Sequence, residues 1–314
     1  MKGETAILLA VRNGGRFLGE QLDSLLAQTV QDFTIWAHDD GSEDDSLSIL
    51  QAYAARHPGR LRILEGPPAG SAKANFLYLL RQVRADWYFF CDQDDIWLPG
   101  KVEKSRLAME KMADRYGASV PLAVFGDMQI ADAEGNMRHP SYLQYMGRDH
   151  RRLSVRQLLV QNKAAGCTML INRALAEKAL QVSDEDNIVM HDWWLMLTAA
   201  ACGHIGYIAA PLLLYRQHGS NQIGTGKSHA AWLAEKTGNL LTGRQLQSSR
   251  KGILEQRQMA LELSRLLPAD HPDRAFLCRL ADIGECPRRE RIRFYRQNHL
   301  LPEGARSRWK ILIV

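Results

Sequence analysis

Residues 89–97 read FFCDQDDIW, in which Asp92, Asp94 and Asp95 directly follow an apolar run that is typical of a buried strand. Three carboxylates within four positions repel one another, and beside a low-dielectric core they are costly unless something positive meets them. A metal ion, a basic partner or open water would compensate them. The stretch therefore predicts a buried strand that ends at a polar site.

The first hundred residues alternate between short apolar runs and helical patterns. Leu18, Leu22, Leu25 and Leu26 repeat with helical spacing, and similar patterns cover residues 47–54 and 71–83. Between them lie four predicted strands, at residues 5–11, 33–37, 61–64 and 87–91. Strands that alternate with helices predict βαβ crossovers and a mostly parallel sheet, in which ligands bind at the carboxyl ends of the strands.

Polar residues accumulate at these strand ends. The first strand is followed by Arg12, Asn13 and Gly14, and the second leads into HDDGS at residues 38–42. An acid at a strand end commonly accepts hydrogen bonds from a base or ribose. The segment RNGGRFLG does not fit G-x-G-x-x-G, which disfavours a nicotinamide-dependent dehydrogenase.

Composition limits the class of protein. The 314 residues are 46% hydrophobic and 24% charged, as expected for a globular chain of one large or two modest domains. We expect a cytoplasmic protein, because no apolar run is long enough for a membrane span and the start lacks a signal-peptide pattern. The five cysteines are widely spread without a CxxC pair, which predicts neither a disulfide framework nor a zinc site.

The positive charge is concentrated at the end of the chain. Residues 244–314 hold fifteen Lys and Arg against eight Asp and Glu, whereas the whole chain has a net charge of +5. Such a surface attracts anionic lipid headgroups or a diphosphate-bearing acceptor. Nucleic acid is not expected as a partner, because no aromatic residues interleave with the charges as a stacking platform requires.

Several segments together carry a resemblance. ILLAVRNGGRFLGEQLDSLLAQT, WAHDDGSEDDS and FFCDQDDIWLPGKVE resemble the family 2 glycosyltransferases, which are inverting enzymes of the GT-A fold that use nucleotide sugars. AAGCTMLINRAL, MHDWWLMLTAAACG and PLLLYRQHGSN continue the likeness, in an arrangement similar to the bacterial rhamnosyltransferases of that family. The resemblance spans roughly residues 5–222 and implies a Rossmann-like, mostly parallel sheet flanked by helices.

The resemblance implies where the donor binds. Asp39 corresponds to the carboxylate that binds the pyrimidine base, with Asp40 close to the nucleoside. Asp92 and Asp94 match the D-x-D acids, of which Asp92 faces the ribose and the ion's water shell and Asp94 coordinates Mg²⁺ or Mn²⁺ on the diphosphate. The residues predicted to bind the donor nucleotide are Ala10, Val11, Arg12, Asn13, Asp39, Asp40, Lys73, Asn75, Asp92 and Gln93.

The later segments supply the remaining predicted roles. Asp192 matches the acid that serves as general base. Trp193, Arg216 and Asn221 are predicted to contact the diphosphate or the acceptor, and His218 is predicted to join Asp92 and Asp94 at the metal. Structural roles stay open for several of these residues: a helix cap for Asp39, the core for Trp193, a salt bridge for Arg216 and a backbone-bonded loop for His218. Asp95 is expected to support its loop.

The domain reading follows from these segments. Residues 1–222 are predicted to form the GT-A domain, with a nucleotide-sugar half at 1–100 and an acceptor half at 101–222. Residues 223–314 are predicted to hold a flexible loop, whose glycines suit an active-site lid, and a basic helical region. Ile292, Phe294 and Trp309 among the closing arginines predict peripheral contact with the inner face of the plasma membrane, with a dimer contact as the rival.

The expected activity is transfer of a sugar, with L-rhamnose from dTDP-rhamnose favoured over other dTDP- or UDP-sugars. The acceptor is predicted to be a hydroxyl on a growing surface polysaccharide or a lipid-diphosphate-linked glycan. Two alternatives are a nucleotidyltransferase acting on sugar phosphates, which usually carries a glycine-rich basic loop after its first strand, and a non-catalytic carbohydrate-binding relative. Loss of function in Asp94→Ala and Asp192→Asn separates an enzyme from the latter.

Overall fold

The first half of the chain builds the predicted alternation of strands and helices. The structure, a computed structural model, describes residues 3–219 and 243–300. The strands are β1 (Thr5–Val11), β2 (Thr34–Asp39), β3 (Leu61–Ile63) and β4 (Trp87–Asp92), separated by α1 (Gly15–Leu26), α2 (Ser46–Arg56) and α3 (Ala72–Gln82). These four strands pair in parallel in the order β3-β2-β1-β4. The predicted βαβ crossovers are therefore confirmed.

The second half extends the same sheet. Its strands are β5 (Ile96–Trp97), β6 (Leu122–Ala131), β7 (Met137–His139), β8 (Met169–Asn172) and β9 (His204–Arg216). The helices are α4 (Lys101–Tyr116), α5 (Tyr142–Tyr145), α6 (Val155–Val160), α7 (Arg173–Ala179) and α8 (His191–Cys202). The strand order continues from β4 through β8, β6 and β9 to β5, and β7 pairs with β6.

The direction of β8 determines what meets at the edge of the sheet. β8 is antiparallel to both β4 and β6, and β9 is parallel to β6, so β1 to β4, β6 and β9 all run one way. Only β5, β7 and β8 run against them, and the sheet is mostly parallel as predicted. Because β8 is reversed, its amino end lies beside the carboxyl ends of its neighbours. The 3₁₀ turn at Gly166–Thr168, which leads into β8, is thereby brought to the edge where ligands are expected.

Alternating side chains bury both faces of the sheet. Along β1 and β4, Leu8 and Phe90 join the core on one face, whereas Ile7 and Phe89 join the core on the other. Successive residues of a strand point to opposite faces, so a strand covered by helices on both sides must be apolar throughout. This explains why the first and fourth strands read as continuous apolar runs.

The chain after residue 242 is helical, as expected. Helices α9 (Gly243–Leu266), α10 (Arg274–Asp282) and α11 (Arg288–Gln297) follow one another. Met259 and Leu263 of α9 and Leu277 of α10 are fully buried in the core that also holds Trp194 of α8. This region therefore packs on the catalytic half. Within residues 3–219 and 243–300, no helix has the length and apolarity that a membrane crossing requires. The predicted lid, Asn221 and Trp309 lie outside the described residues.

Candidate active site

A cavity of about 910 Å³ opens at the carboxyl edge of the sheet. It brings together most of the residues predicted from the sequence. Those that line it are Ala10, Val11, Arg12, Asn13, Asp40, Asn75, Asp92, Gln93, Asp94, Asp192, Trp193 and His218. Asp39, Lys73 and Arg216 are not among the lining residues.

Hydrogen bonds between neighbouring loops shape the β1 end of the cavity. Asn13 adopts a left-handed conformation, with φ of 49°. Its backbone N–H donates to Ser42 Oγ at 2.8 Å, and its side-chain oxygen accepts from the Glu43 N–H at 2.8 Å. Gln93 accepts from the Arg12 N–H at 2.6 Å and donates to the Arg12 carbonyl at 2.8 Å. Gln93 therefore joins the β1 and β4 loops, and a Cβ on Gly14 would lie only 2.4 Å from its side chain.

Asp40, rather than Asp39, faces the cavity. The Asp39 carboxylate accepts from the Ser42 N–H at 2.9 Å and from Ser42 Oγ at 2.5 Å, so it caps its own loop. Asp40 is buried, lines the cavity and accepts from the Gly70 N–H at 2.8 Å, with Arg12 3.5 Å away. The geometry therefore corrects the assignment of the base-binding carboxylate from Asp39 to Asp40.

Lys73 is directed away from the cavity. Its ammonium group donates to the carbonyls of Glu185 and Ile188 at 2.7 and 2.9 Å, which ties α3 to the loop before α8. Asn75 lies on the cavity wall, where its side-chain oxygen is 2.9 Å from His38 Nδ1. Of this predicted pair, only Asn75 is placed to face a nucleotide.

Arg216 is buried behind the metal-side loop and does not line the cavity. Its side chain donates to the Asp94 carbonyl at 2.9 Å and to the Ala133 carbonyl at 2.7 Å, and it pairs with Glu20. The guanidinium also stacks over Phe17 at 4.7 Å. Its position therefore corrects the expected diphosphate contact: Arg216 holds the backbone of the DQDD loop.

The three acids of the DQDD loop have different surroundings. Asp94 Oδ2 lies 2.7 Å from His218 Nε2, and both residues line the cavity. Asp92 also lines it, and burial, with help from Asp94 and Asp192, raises the pKa of Asp92 to about 7. Asp95 is only 1% exposed and accepts from the Arg216 backbone N–H at 3.4 Å, the scaffolding position expected for it.

A buried lysine compensates this acidic loop from below. Lys101 is 1% exposed, its ammonium donates to the Cys167 carbonyl at 2.5 Å, and it lies 3.1 Å above the centre of the Trp97 ring. Burial lowers the pKa of Lys101 to about 7, while nearby thiols and Asp95 and Asp92 oppose that shift. Lys101 therefore links the acidic loop to the turn that precedes β8.

Asp192 is anchored at the start of α8. Its Oδ2 accepts from the Gly166 N–H at 3.0 Å, and its Oδ1 accepts from the Trp193 N–H at 2.6 Å. Burial raises the pKa of Asp192 to about 6, although both backbone donors favour the ionised form. A buried carboxylate with a pKa near the working pH suits a general base. Trp193 lines the cavity beside it and donates from its indole N–H to the Leu158 carbonyl at 2.6 Å.

The acids that line the cavity fit a hard divalent cation. Asp92 and Asp94 offer carboxylate oxygens on one wall, and burial and mutual repulsion raise the pKa of Asp92, a cost that a cation would relieve. Ligand atoms of Asp92, Asp95 and Cys167 also lie within 4.8 Å of one another. Lys101 already serves that inner group, and burial raises the pKa of the Cys167 thiol well above its ordinary value. The cavity-facing acids are the better fit.

Comparison with known proteins agrees with this architecture. The sequence profile of Glycosyl transferase family 2 matches residues 6–178, more than half of the chain. The chain belongs to glycosyltransferase family 2. It is similar to the dTDP-rhamnosyl transferase RfbG of Shigella flexneri, with 28% identity over 233 residues that cover 71% of this chain and 76% of the relative. It is also similar to the putative glycosyltransferase EpsE of Bacillus subtilis (strain 168), with 24% identity over 41% of this chain and 47% of that protein.

Solved structures share the fold. S. aureus TarS 1–349 in complex with UDP-GlcNAc superposes with a TM-score of 0.55 at 13% identity, over 99% of this chain and 90% of that one. The mannosyltransferase PcManGT from Pyrobaculum calidifontis, in complex with GDP-Man and Mn²⁺, gives 0.53 at 15% identity over 100% and 87%. The predicted GT-A fold of this glycosyltransferase is confirmed.

Several lining residues of this family 2 enzyme were missed by the sequence reasoning. They come from the second half of the cavity and include Arg16, Tyr142, Arg148, Asn162, His191 and Tyr215. His191 packs on Phe76 with ring centres 4.2 Å apart, and burial lowers its pKa to about 3, so it is neutral. Its position beside Asp192 in MHDWWL was the available signal.

Proposed function

We propose that this glycosyltransferase is an inverting, divalent-metal-dependent enzyme that moves L-rhamnose from dTDP-rhamnose to a hydroxyl of a growing surface polysaccharide or a lipid-linked glycan. The observation that carries the proposal is that Asp192 and the pair Asp92 and Asp94 line one cavity. The similarity to a dTDP-rhamnosyl transferase supports the choice of donor. The UDP-GlcNAc and GDP-Man complexes of the structural neighbours support a nucleotide sugar as its class.

The nucleotide is proposed to lie along the ends of β1, β2 and β4. Asp40 is the buried acceptor for the base, and its bond to the Gly70 N–H fixes its orientation. Asn75 and the backbone around Ala10 and Val11 form the adjoining wall. Arg12 is half exposed at the rim beside Asp40, where it can follow the nucleoside.

The transfer step is proposed to use Asp192 as base. One Asp192 oxygen takes the proton of the acceptor hydroxyl while that oxygen attacks the anomeric carbon, and the bond from this carbon to the diphosphate oxygen breaks. A bound Mg²⁺ or Mn²⁺ would neutralise the charge that develops on the departing diphosphate. Asp94 and Asp92 would hold the ion, with His218 beside Asp94, and Mn²⁺ suits a set that includes imidazole.

The test is a panel of nucleotide sugars with Mn²⁺ or Mg²⁺, scored by thermal stabilisation and by slow donor hydrolysis. We expect dTDP-rhamnose to stabilise the protein most, and Asp94→Asn to abolish the metal-dependent part of that effect. If no donor stabilises the wild-type protein and chelation changes nothing, the proposed activity is wrong. Donor hydrolysis that persists at wild-type rates in Asp192→Asn and Asp94→Ala would instead favour a non-catalytic relative.

Peripheral membrane contact is proposed for the basic helix α11. Arg288, Arg289, Arg293 and Arg296 are exposed on it, and Tyr295 packs inward and is buried. Clustered arginines on an amphipathic helix are attracted to anionic lipid. We expect the full chain to float with anionic vesicles and a variant with these four arginines changed to glutamine to stay behind. Equal flotation of both proteins would exclude this helix as the contact.

A further inference from the structure

Arg148 is held at the cavity by the way helix α5 ends. The Arg148 N–H donates to the Leu143 carbonyl at 2.8 Å and the Gly147 N–H to the Gln144 carbonyl at 3.1 Å, which is the Schellman pattern of a helix end. Gly147 takes the left-handed conformation that this turn needs, with φ of 61°. Asp127 fixes the other end of α5, where it accepts from Ser141 Oγ at 2.5 Å and from the Leu143 N–H at 3.1 Å. Both ends of the short helix are thus fixed, and Arg148 is presented on the cavity wall.

Arg148 differs from the other two arginines on this wall. Arg12 lies 3.5 Å from Asp40, and Arg16 lies 3.8 Å from Glu134. Arg148 forms no ion pair with any residue in the described ranges 3–219 and 243–300, and its Nε is buried there without a hydrogen-bond partner. Its guanidinium lies 5.2 Å from the centre of the Tyr142 ring, another cavity residue. A half-buried guanidinium that lacks a carboxylate has hydrogen-bonding capacity for an anion from outside the chain.

The side of the cavity identifies which substrate would carry that anion. Arg148 favours the ionised form of Asp192, so it lies on the side of the proposed base. This step rests on the proposed function: in a single displacement the base and the leaving diphosphate occupy opposite faces of the transferred sugar. A cation beside the base therefore meets the acceptor rather than the donor diphosphate.

We infer that Arg148, on the Tyr142 ring, forms an acceptor subsite that recognises a negatively charged group, a carboxylate or a phosphate, close to the accepting hydroxyl. Arg148 would thus determine acceptor specificity. The source of the charge is either a uronic acid in the glycan or a glycosyl phosphate.

The test compares charged and neutral glycosides on the full-length protein loaded with Mn²⁺ and dTDP. The probes are methyl glucuronide against methyl glucoside, and glucose 1-phosphate against methyl glucoside, with dissociation constants measured by ligand-observed NMR. The variants are Arg148→Gln and, as a matched control, Arg151→Gln, since Arg151 is exposed and pairs with Asp149 at 2.9 Å. Donor hydrolysis is measured in parallel as the separate test of the proposed activity.

We expect wild type and Arg151→Gln to bind at least one charged probe about ten- to a hundredfold more tightly than its neutral partner. Arg148→Gln should lose that preference while it binds neutral glycoside and hydrolyses donor as before. The charged probe that is preferred tells a uronate from a glycosyl phosphate. Equal or absent binding of charged and neutral probes by wild type overturns the inference. So does an Arg148→Gln variant that keeps the preference, or one that loses donor hydrolysis and neutral binding to the same extent. A failed donor panel with the preference intact would refute the proposed activity alone.

Discussion

Replacing Asp192 with asparagine removes the proposed base and leaves most of its local structure in place. The carboxylate accepts one backbone N–H on each oxygen, from Gly166 at 3.0 Å and from Trp193 at 2.6 Å. The asparagine oxygen can keep one of these bonds, and its NH₂ group must face the other donor. We therefore expect a modest loss of stability, about 1–3 kcal/mol for one unsatisfied buried N–H.

The loss of rate should be much larger than the loss of stability. General base catalysis contributes about 10²- to 10⁴-fold. That range corresponds to about 3–5 kcal/mol of barrier. The donor nucleotide should still bind, because its proposed contacts lie at the ends of β1, β2 and β4, on elements that do not depend on the Asp192 side chain.

The assay is sugar transfer or donor hydrolysis at saturating dTDP-rhamnose and Mn²⁺, with thermal stabilisation by dTDP as the measure of binding. Asp186→Asn is the matched control, because Asp186 is an exposed acid in the loop that leads to α8. A loss of rate below tenfold in Asp192→Asn would mean that another group takes the proton. An equal loss of nucleotide binding would mean that Asp192 supports the fold of the site rather than the chemistry.

Three other outcomes follow from the charges of the site. Because the pKa of Asp192 is about 6 and only its ionised form accepts a proton, the rate at saturating metal and donor should rise about tenfold from pH 5 to pH 7 and then level off, and Asp192→Asn should abolish the rise. Lys101→Met should lower the free energy of unfolding by about 3 kcal/mol, since it leaves buried acids uncompensated, and adding Asp95→Asn should restore part of it in urea titrations. Asp94→Asn should remove most of the thermal stabilisation by Mn²⁺ plus dTDP while stabilisation by dTDP alone persists; an unchanged Mn²⁺ effect would place the ion elsewhere.

The sequence was sufficient for the half of the fold in which strands follow one another in space. The run at Thr5–Val11 and the run that ends at Asp92 became β1 and β4, because helices cover both faces and every position must be apolar. The reversed β8 could not be predicted, since the four residues Met169–Asn172 are apolar in either direction. Its direction is set by pairing with β4 and β6, which are distant in sequence.

The site shows the same division between neighbouring and distant information. The order of HDDGS, CDQDD and MHDWWL predicted which loops meet, and the cavity includes a residue from each. The choice between Asp39 and Asp40 was wrong because adjacent residues at a strand end point to opposite sides. Lys73 and Arg216 were misplaced for a related reason: a long basic side chain can reach a ligand or a backbone carbonyl, and only the packed structure decides between them.

Two further residues show what a local signal can and cannot provide. Gly147 followed by Arg148 has the helix-ending glycine that predicts a Schellman turn, so the presentation of Arg148 could have been proposed from residues 142–148 alone. Lys101 offered no such signal, because the start of a helix after LPG is usually solvated. It becomes a buried cation only because the reversed β8 brings Cys167 above it and the DQDD loop beside it. A residue whose role depends on three distant segments is therefore found from the structure, whereas a residue aimed by its own turn can be found from the sequence.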